Sequence, residues 1–299
     1  MDSGLSFEFR GEKIPVTHAS SIPKEHAEKA LVCGPFQTWV ERCERDVLLD
    51  QSGSITTYQR LNLHGVEYQS IDMFGARGVG FIKLKSNTTL STIEKNADGK
   101  IIKEEKHDKP LPGICFLRGS AVSILVALFC GDKVYSLLVD QPRVPIGQAS
   151  CLEIPAGMVD DETQSVAGIA VQEMREECSI HIKSASELVD LTELALSGHV
   201  DKLPCIAIPP SPGGCDEFLR CFYLEKKVTE SELNFMKDRL QGLRDHGEYI
   251  TLRVVPFEDV WKVSGDAKAM VSLFLLDQLR KEGKVPAAGS LATPLSEKK

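Results

Sequence analysis

The chain has 299 residues, and at roughly 100 to 200 residues per domain its length predicts two domains. Its formal net charge is −8 at pH 7, which argues against a nucleic acid or an anionic membrane as partner because both need a basic face. The run AVSILVALFC at residues 121–130 is about half the roughly 20 residues that cross a bilayer, so it predicts a buried strand. The N-terminus, MDSGLSFEFRGEK, has neither the charged start nor the apolar stretch of a secretory signal, so a cytoplasmic protein is expected.

The first third of the chain predicts a small β domain preceded by an arm. Residues 1–35 are polar and contain Pro15 and Pro23, which predicts an extended or loosely packed arm. The small β domain is assigned to residues 36–112, because apolar and polar residues alternate through ITTYQRLNLHGVEYQSIDMFG after a short helical segment, FQTWVERCER. The charged stretch SNTTLSTIEKNADGKIIKEEKHDK contains the turn pair Asp98-Gly99 and is expected to form an exposed excursion or a hairpin tip.

A second domain is predicted at residues 113–283. Its strands are expected at 114–129 with a break near Gly119, and at 134–141, 151–155, 205–208, 219–225 and 249–255. Helices are expected at 165–177 and in DAKAMVSLFLLDQLRKE, where Asp266 fits an N-cap. A sheet flanked by two helices predicts an α+β fold, an α/β/α sandwich. Residues 284–299 are rich in Pro, Ala, Ser and Lys, which predicts a disordered tail.

The segment QEMREE gives the second domain an unusual helix. Its glutamates Glu173, Glu176 and Glu177 lie three and four residues apart, so they share one helix side and repel one another by a few tenths of a kcal/mol per pair. A bound cation would offset this repulsion, and hard divalent cations such as Mg²⁺ prefer oxygen ligands. The alternative is an acidic face that is simply solvated.

The surrounding residues resemble a known signature. From Gly157 to Ile180 the chain is similar to the signature of the Nudix hydrolases, G-x5-E-x7-R-E-U-x-E-E-x-G-U with U apolar, and Glu173, Met174, Glu176, Glu177 and Ile180 match its second half. Further segments resemble the plant-type ADP-sugar diphosphatases of this family, relatives of ADP-ribose pyrophosphatase. They include DQPRVPIGQASCLEIPAGMVDD, PPSPGGCDE and LRDHGEYITLRVVP, and the resemblance covers roughly residues 36–283.

The resemblance implies a fold, an activity and an assembly. The fold is a Nudix α/β/α sandwich preceded by a small antiparallel β N-terminal domain. The activity is Mg²⁺-dependent hydrolysis of the diphosphate in ADP-ribose or ADP-glucose, giving AMP and a sugar 1-phosphate, with Mn²⁺ as a substitute for Mg²⁺. The assembly is a homodimer in which the β domain contributes to the interface.

The resemblance also implies a metal site and a phosphate contact. Glu173 and Glu177 are expected to bind Mg²⁺ with support from Glu176, and the backbone carbonyl of Ala156 is expected to complete a metal's shell. Arg143 in QPRVP matches an arginine that grips the substrate's phosphates. A salt bridge between Arg143 and a nearby carboxylate is the alternative.

The remaining site residues lie on two later loops and at the metal turn. Glu248 in HGEYI matches a glutamate that acts as base in some relatives, and His246 is an alternative base. Glu217 in SPGGCDE matches a glutamate that contacts metal or substrate and is also a candidate base. Glu177 is also expected to be a catalytic residue, and Gly157 is expected to contact the substrate. The plainer alternatives are a strand-edge residue for Glu248 and a turn residue for Glu217.

Three positions depart from the signature. Gln172 stands where the signature has arginine, Ser179 where it has glycine, and Gln164 where it has its first glutamate, after an additional residue. Ser179 is expected either to carry the strain of a left-handed helix end or to mark a different ending. These departures leave open a Nudix-fold protein that binds a nucleotide sugar without cleaving it. A diphosphatase for another substrate, such as a UDP-sugar or a dinucleotide, also stays open.

Overall fold

The computed structural model describes residues 2–75, 78–159, 165–198, 205–241 and 249–295. The described residues divide into two compact units, each built on its own sheet. The first unit contains residues 2–119, Cys205 and Ser211–Glu217, and the second contains Ser120–Gly198, Ile206–Pro210 and residues 218–295. No described helix is both long and apolar enough to span a membrane.

The first unit is a largely antiparallel sheet with two short helices. Its strands are β1 (Asp2–Phe9), β2 (Glu12–His18), β3 (Val47–Ser52), β4 (Ile55–Met73), β5 (Val79–Lys95), β6 (Ile101–His107) and β7 (Ile114–Leu117), and its helices are α1 (Lys24–Leu31) and α2 (Gly34–Cys43). The strand order is β1-β2-β4-β5-β6, with β3 beside β4 and β7 beside β5. The β2–β4 pair is parallel, whereas the neighbouring pairs described for this unit are antiparallel. The predicted N-terminal antiparallel β region is therefore present.

The first 35 residues differ from the predicted loose arm because they belong to the core of the first unit. Phe9 and Ile14, from the β1–β2 hairpin, are buried in the same cluster as Phe36 of α2. The Phe36 ring is fully buried and lies edge-on to Phe7 and Tyr68, with centroid distances of 5.2 Å and 5.5 Å. Burying such side chains stabilises the fold by about 1.5 to 3 kcal/mol each, which favours a packed hairpin over an arm.

The charged segment at residues 86–109 forms the second half of β5, a hairpin tip and β6, which agrees with the expected hairpin. The β5 strand continues to Lys95, and the tip closes around Asn96 and Gly99, whose positive φ of 76° suits glycine. The next strand, β7, pairs with β5, and its Leu117 is fully buried in the first core. The first unit therefore ends at Gly119, several residues beyond the predicted boundary at residue 112.

The second unit is an α/β/α sandwich around a mixed sheet. Its strands are β8 (Ala121–Cys130), β9 (Lys133–Arg143), β10 (Gln148–Glu153), β11 (Ala156–Met158), β12 (Leu188–Asp190), β13 (Leu219–Lys227), β14 (Leu240–Gln241), β15 (Ile250–Pro256) and β16 (Thr293–Pro294). Its α-helices are α3 (Val166–Cys178), α4 (Leu191–Leu196), α5 (Glu230–Met236), α6 (Val260–Val263) and α7 (Ala267–Lys281), and short 3-10 helices lie at Val144–Ile146, Ala185–Glu187 and Phe257–Asp259. The main strand order is β12-β13-β8-β9-β15-β14.

The prediction of a strand at residues 205–208 is wrong, because Ile208 makes an isolated bridge to Leu219 instead.

The predicted buried strand at 121–130 is the centre of this sheet. Alternate side chains of β8 face opposite sides, so Val122 and Ile124 pack with α3 while Leu125 packs with α7. Because both faces are covered, almost every residue of the run is buried and apolar. These two layers of helix confirm the predicted α+β class and the α/β/α sandwich.

The chain after α7 differs from the predicted disordered tail over its described part. Val285 is buried in the α7-side core, and β16 pairs with β13. The buried Lys226 ammonium donates to Thr293 Oγ1 at 3.0 Å, and the Glu225 carboxylate accepts from Leu291 N at 2.9 Å. Composition did not predict this order because it depends on buried charged groups of β13 that need partners.

The sheet divides where β10 and β11 enter it. β8 and β9 pair directly only near their hairpin turn, from Leu128 to Cys130 on β8. Further along, β8 pairs with β11 and β9 pairs with β10. Ile154 and Pro155 join these two short strands, so the chain crosses here from one side of the division to the other. This crossing places Ala156 and Gly157 beside α3.

Candidate active site

The acidic helix α3 begins at a capping residue and buries one face. Ser165 Oγ accepts a hydrogen bond from Gly168 N at 3.0 Å, which satisfies an amide that the helix leaves unpaired. Ile169, Ala170, Met174 and Cys178 recur at helical spacing and are buried against the sheet. This packing fixes the rotation of the helix, and therefore the direction of its glutamates.

The helix ends in the strained conformation that Ser179 was expected to carry. Its φ is 54°, in the left-handed region that costs a residue with a Cβ about 1 to 2 kcal/mol. Ser179 N bonds to Arg175 O, and Ile180 N bonds to Met174 O, which completes the usual helix-end pattern. Ser179 Oγ also donates to Gln241 Oε1 at 3.2 Å, a contact that glycine could not make.

Two of the three helix glutamates lie against the β11 turn. Glu177 Oε2 accepts a hydrogen bond from Ala156 N at 3.2 Å. The Glu173 side chain occupies the space that a Cβ on residue 157 would need, so glycine is required there for this approach. The structure therefore brings together Ala156, Gly157, Glu173 and Glu177.

Glu176 lies on the exposed side of α3 instead. Its carboxylate accepts from Gln172 Nε2 at 3.0 Å and lies 3.6 Å from an Arg175 nitrogen. The glutamine at the signature's arginine position thus supplies a neutral hydrogen bond to a glutamate one turn away.

Among the described residues, no group of three or more His, Cys, Asp or Glu side chains is arranged to hold a metal ion.

Arg143 makes the salt bridge that the sequence left open as its alternative role. Its Nε and Nη2 atoms lie 2.5 Å and 3.1 Å from the two oxygens of Glu153. Glu153 is opposite Val139 in the β9–β10 pair, and Val139 packs on the α3 side, so this ion pair lies on the same face as α3. Arg143 is also within electrostatic range of Glu177.

Sequence reasoning missed Glu153 and its second partner, Lys268. The Lys268 ammonium lies 2.7 Å from Glu153 Oε2. A usable signal was present, since Glu153 is a charged residue inside the otherwise uncharged run CLEIPAG, where a strand buries it. No pattern in the sequence identifies Lys268 as its partner, because 115 residues separate them.

The predicted site residue Glu217 lies in the first unit. Its carboxylate is 3.6 Å from an Arg118 nitrogen and is mostly buried. The neighbouring Asp216 accepts hydrogen bonds from the backbone amides of Arg118 and Gly119, at 2.7 Å and 3.2 Å. These contacts hold the loop that carries Glu217 against the end of β7.

Other predicted features lie outside the described residues. They are the candidate bases Glu248 and His246, within residues 242–248, and Gln164 with the acidic loop, within residues 160–164.

No family model matches the chain. Nudix hydrolase 14, chloroplastic, of Arabidopsis thaliana is 33% identical over 274 residues, which are 92% of this chain and 80% of that protein. The chain belongs to the Nudix hydrolase family.

Two solved structures are similar at a lower level. An ADP compounds hydrolase has a TM-score of 0.40 and 13% identity, and the match covers 75% of this chain and 97% of that one. The Nudix domain of Shewanella oneidensis NrtR, solved with ADP ribose, has a TM-score of 0.34 and 13% identity over 55% of this chain and 87% of that one. These TM-scores are too low to support a conclusion about function.

The residues at the β11 turn fit the cation chemistry of the family. Nudix hydrolases generally use divalent metals such as Mg²⁺. Mg²⁺ is usually held by one or two carboxylates together with waters and substrate phosphates. Glu173, Glu177 and the Ala156 backbone supply oxygen donors of this kind on two adjacent elements.

The charge on Glu153 in this Nudix hydrolase is stabilised by its two cations. Burial alone would raise the pKa of Glu153, but the hydrogen bond from Arg143 and the charge of Lys268 outweigh burial and hold that pKa below its ordinary value of 4.5. Burial alone would lower the pKa of Lys268, and the charges of Asp266 and Glu153 instead raise it above its ordinary value. All three side chains are therefore ionised at neutral pH.

Changing Gly157 to Ala is expected to displace Glu173 without unfolding the protein. The added Cβ would collide with the Glu173 side chain from its Cγ to its carboxylate, so this side chain has to adopt another rotamer. We expect Mn²⁺ affinity, measured by calorimetry, to fall by roughly 10- to 100-fold. The matched control is Gly34→Ala, whose Cβ meets nothing within 4 Å. Wild-type Mn²⁺ affinity in the Gly157→Ala protein would show that Glu173 is not a ligand.

The ion pairs of Glu153 are expected to make stability depend on pH. Because the folded-state pKa lies below the unfolded value, this stabilisation is fully present above about pH 4.5 and is lost as the pH falls through the lowered pKa. The free energy of unfolding of Glu153→Gln should therefore lie below that of wild type at neutral pH, and the difference should shrink in acid. Urea unfolding across this pH range measures it, with exposed Glu230→Gln as the control. A difference that is constant with pH would contradict the prediction.

Proposed function

We propose that this Nudix hydrolase cleaves the diphosphate of ADP-sugars such as ADP-ribose and ADP-glucose, giving AMP and a sugar 1-phosphate. The observation that carries the proposal is the approach of Glu173 and Glu177 to the Ala156–Gly157 turn, on the same sheet face as Arg143. The motifs that resemble plant-type ADP-sugar diphosphatases support the choice of substrate. Mg²⁺ is the proposed cofactor, and Mn²⁺ is expected to replace it.

The chain's own residues have separate tasks in this proposal. Glu173 and Glu177, with the Ala156 carbonyl, would hold the cation, and Glu176 supports them from the exposed side of α3. A bound divalent cation would neutralise negative charge on the diphosphate oxygens. Arg143 would bind the phosphates through its planar fork of donors, as arginines commonly do.

The proton transfer is assigned to a residue of the later loops. Glu248 would accept a proton from the water that attacks phosphorus, and the bridging P–O bond would then break to release AMP and the sugar phosphate. Glu217 would contact the substrate or a metal, and it is the second candidate for the base together with His246. Gly157 would let the backbone come close to the substrate and to Glu173.

Turnover of purified protein with Mg²⁺ tests the proposal. We expect AMP release from ADP-ribose or ADP-glucose, and we expect Glu173→Gln and Glu177→Gln each to lower activity by orders of magnitude, since a charged ligand is lost. Glu248→Gln should lower turnover while leaving Mn²⁺ affinity nearly unchanged. Glu230→Gln, on α5, is the control for loss of an exposed helix glutamate.

The outcomes separate the alternatives. Cleavage of a UDP-sugar or a dinucleotide in place of ADP-sugars would change the proposed substrate but keep the reaction. Binding of ADP-sugars with no cleavage under Mg²⁺ or Mn²⁺ would show a binding protein of the Nudix fold. Unchanged turnover in Glu177→Gln would show that the helix glutamates form only a solvated acidic face.

We also propose that the protein is a cytoplasmic homodimer whose first unit contributes to the interface. Large apolar side chains are exposed on its strands, among them Val47, Leu49, Ile102 and Ile114. Association with a partner would remove these apolar side chains from water. Light scattering at micromolar concentration should give twice the chain mass of 32.9 kDa, and Ile114→Lys should lower it. A monomer in the wild-type protein would refute the proposal.

A further inference from the structure

A buried carboxylate with two cationic partners lies on the same sheet face as α3. Both oxygens of Glu153 are bound by Arg143, and Lys268 shares Oε2 at 2.7 Å. The side chains differ in exposure: 7% for Glu153, 19% for Lys268 and 42% for Arg143. One cation is thus enclosed with the carboxylate, and the other faces solvent.

The enclosed cation is held in place by the start of α7. Asp266 caps that helix by accepting from Lys268 N at 2.9 Å, and the same oxygen lies 2.9 Å from the Lys268 ammonium. Its other oxygen accepts from Ile154 N at 3.1 Å, and Ser264 Oγ donates to Leu152 O at 2.6 Å. The position of Lys268 therefore depends on α7 and β10, and not on Arg143.

We propose that Lys268 is a positioning residue that holds the charge of Glu153 so that Arg143 can leave it and bind the substrate's diphosphate. This inference rests on the proposed function, in which Arg143 contacts phosphate. A buried carboxylate that lost its sole cation would be strongly destabilised, and that cost would oppose substrate binding. With Lys268 in place the carboxylate stays paired, and a guanidinium can exchange one planar anion for another because carboxylate and phosphate accept the same pair of donors.

The test is the affinity for α,β-methylene-ADP, a diphosphate analogue with an uncleavable P–C–P link, measured by calorimetry with Mg²⁺. Lys268→Met should weaken binding about tenfold, within the coupling range of residues in one ion-pair network. Lys268→Arg, which keeps the charge, should retain most of the affinity. On a cleaved ADP-sugar the loss should appear in KM, with kcat changed far less, because the reacting groups are untouched.

The same substitutions made in a Glu153→Gln protein separate a positioning role of Lys268 from a general structural role. In Glu153→Gln the carboxylate charge is gone, so adding Lys268→Met should leave the affinity nearly unchanged, while Arg143→Ala should still weaken it. Unfolding curves check that each variant folds, and Lys268→Gln replaces Lys268→Met if the latter does not. A loss of affinity that persists in the Glu153→Gln background would overturn the inference. So would wild-type affinity in Lys268→Met.

The proposed function can fail separately. If the wild-type protein binds the analogue but cleaves no nucleoside diphosphate sugar, the enzyme proposal fails, and the comparison of variants still decides the role of Lys268. If the wild-type protein does not bind the analogue, or if Arg143→Ala binds it normally, Arg143 does not recognise the diphosphate and the inference is overturned.

Discussion

The structure of the site depends on how the short crossing from Glu153 to Gly157 is held. Carboxylates from helices on both faces of the sheet bind its backbone amides: Asp266, which caps α7, binds Ile154, and Glu177 of α3 binds Ala156. The crossing lies where β8 and β9 have separate partners, so its amides need acceptors from outside the main ladder. The same two contacts orient the turn against α3. The hydrogen bonds that pair these backbone amides therefore also place the candidate metal ligands.

The side chains of α3 differ in burial according to their position around the helix. Met174 and Cys178 are buried in the core, Glu173 and Glu177 are half-buried at the edge facing β11, and Glu176 is exposed. Glu177 tolerates partial burial because the Ala156 amide donates to its carboxylate, and in the proposed function a cation compensates the charge of both glutamates. The cost of Ser179 at the helix end is offset in part by its hydrogen bond to Gln241, which joins this helix to β14.

The first unit has a hydrophobic core of its own. Phe36, Tyr68 and Leu117 are fully buried in a cluster formed by strands β1, β2, β4, β5 and β7 together with α1 and α2. Glu217 belongs to this unit through Arg118 and the Asp216 loop. A change at Glu217 would therefore affect the local packing of this loop as well as any contact with substrate, and stability has to be measured beside activity.

Local patterns in the sequence were sufficient for the elements whose causes are local. The 121–130 run predicts a doubly covered strand, Asp266 predicts the start of α7, and the spacing of Glu173 and Glu177 predicts their shared helix side. The class of fold and the family could also be predicted, because the signature is a contiguous stretch. Glu248 and His246, outside the described residues, stay predictions from the sequence alone.

What depends on distant partners was decided only by the tertiary structure. The hairpin at residues 2–18 is ordered by burial against Phe36, and the chain after α7 is ordered by Lys226 and Glu225, contacts that composition does not reveal. The spacing places Glu176 with Glu173 and Glu177, but the rotation of α3 about its buried face leaves Glu176 more exposed than the other two. Arg143 and Lys268 meet Glu153 across 10 and 115 residues of chain, and charge pairing over such separations is set by the fold, because sequence spacing carries no record of which strands and helices become neighbours.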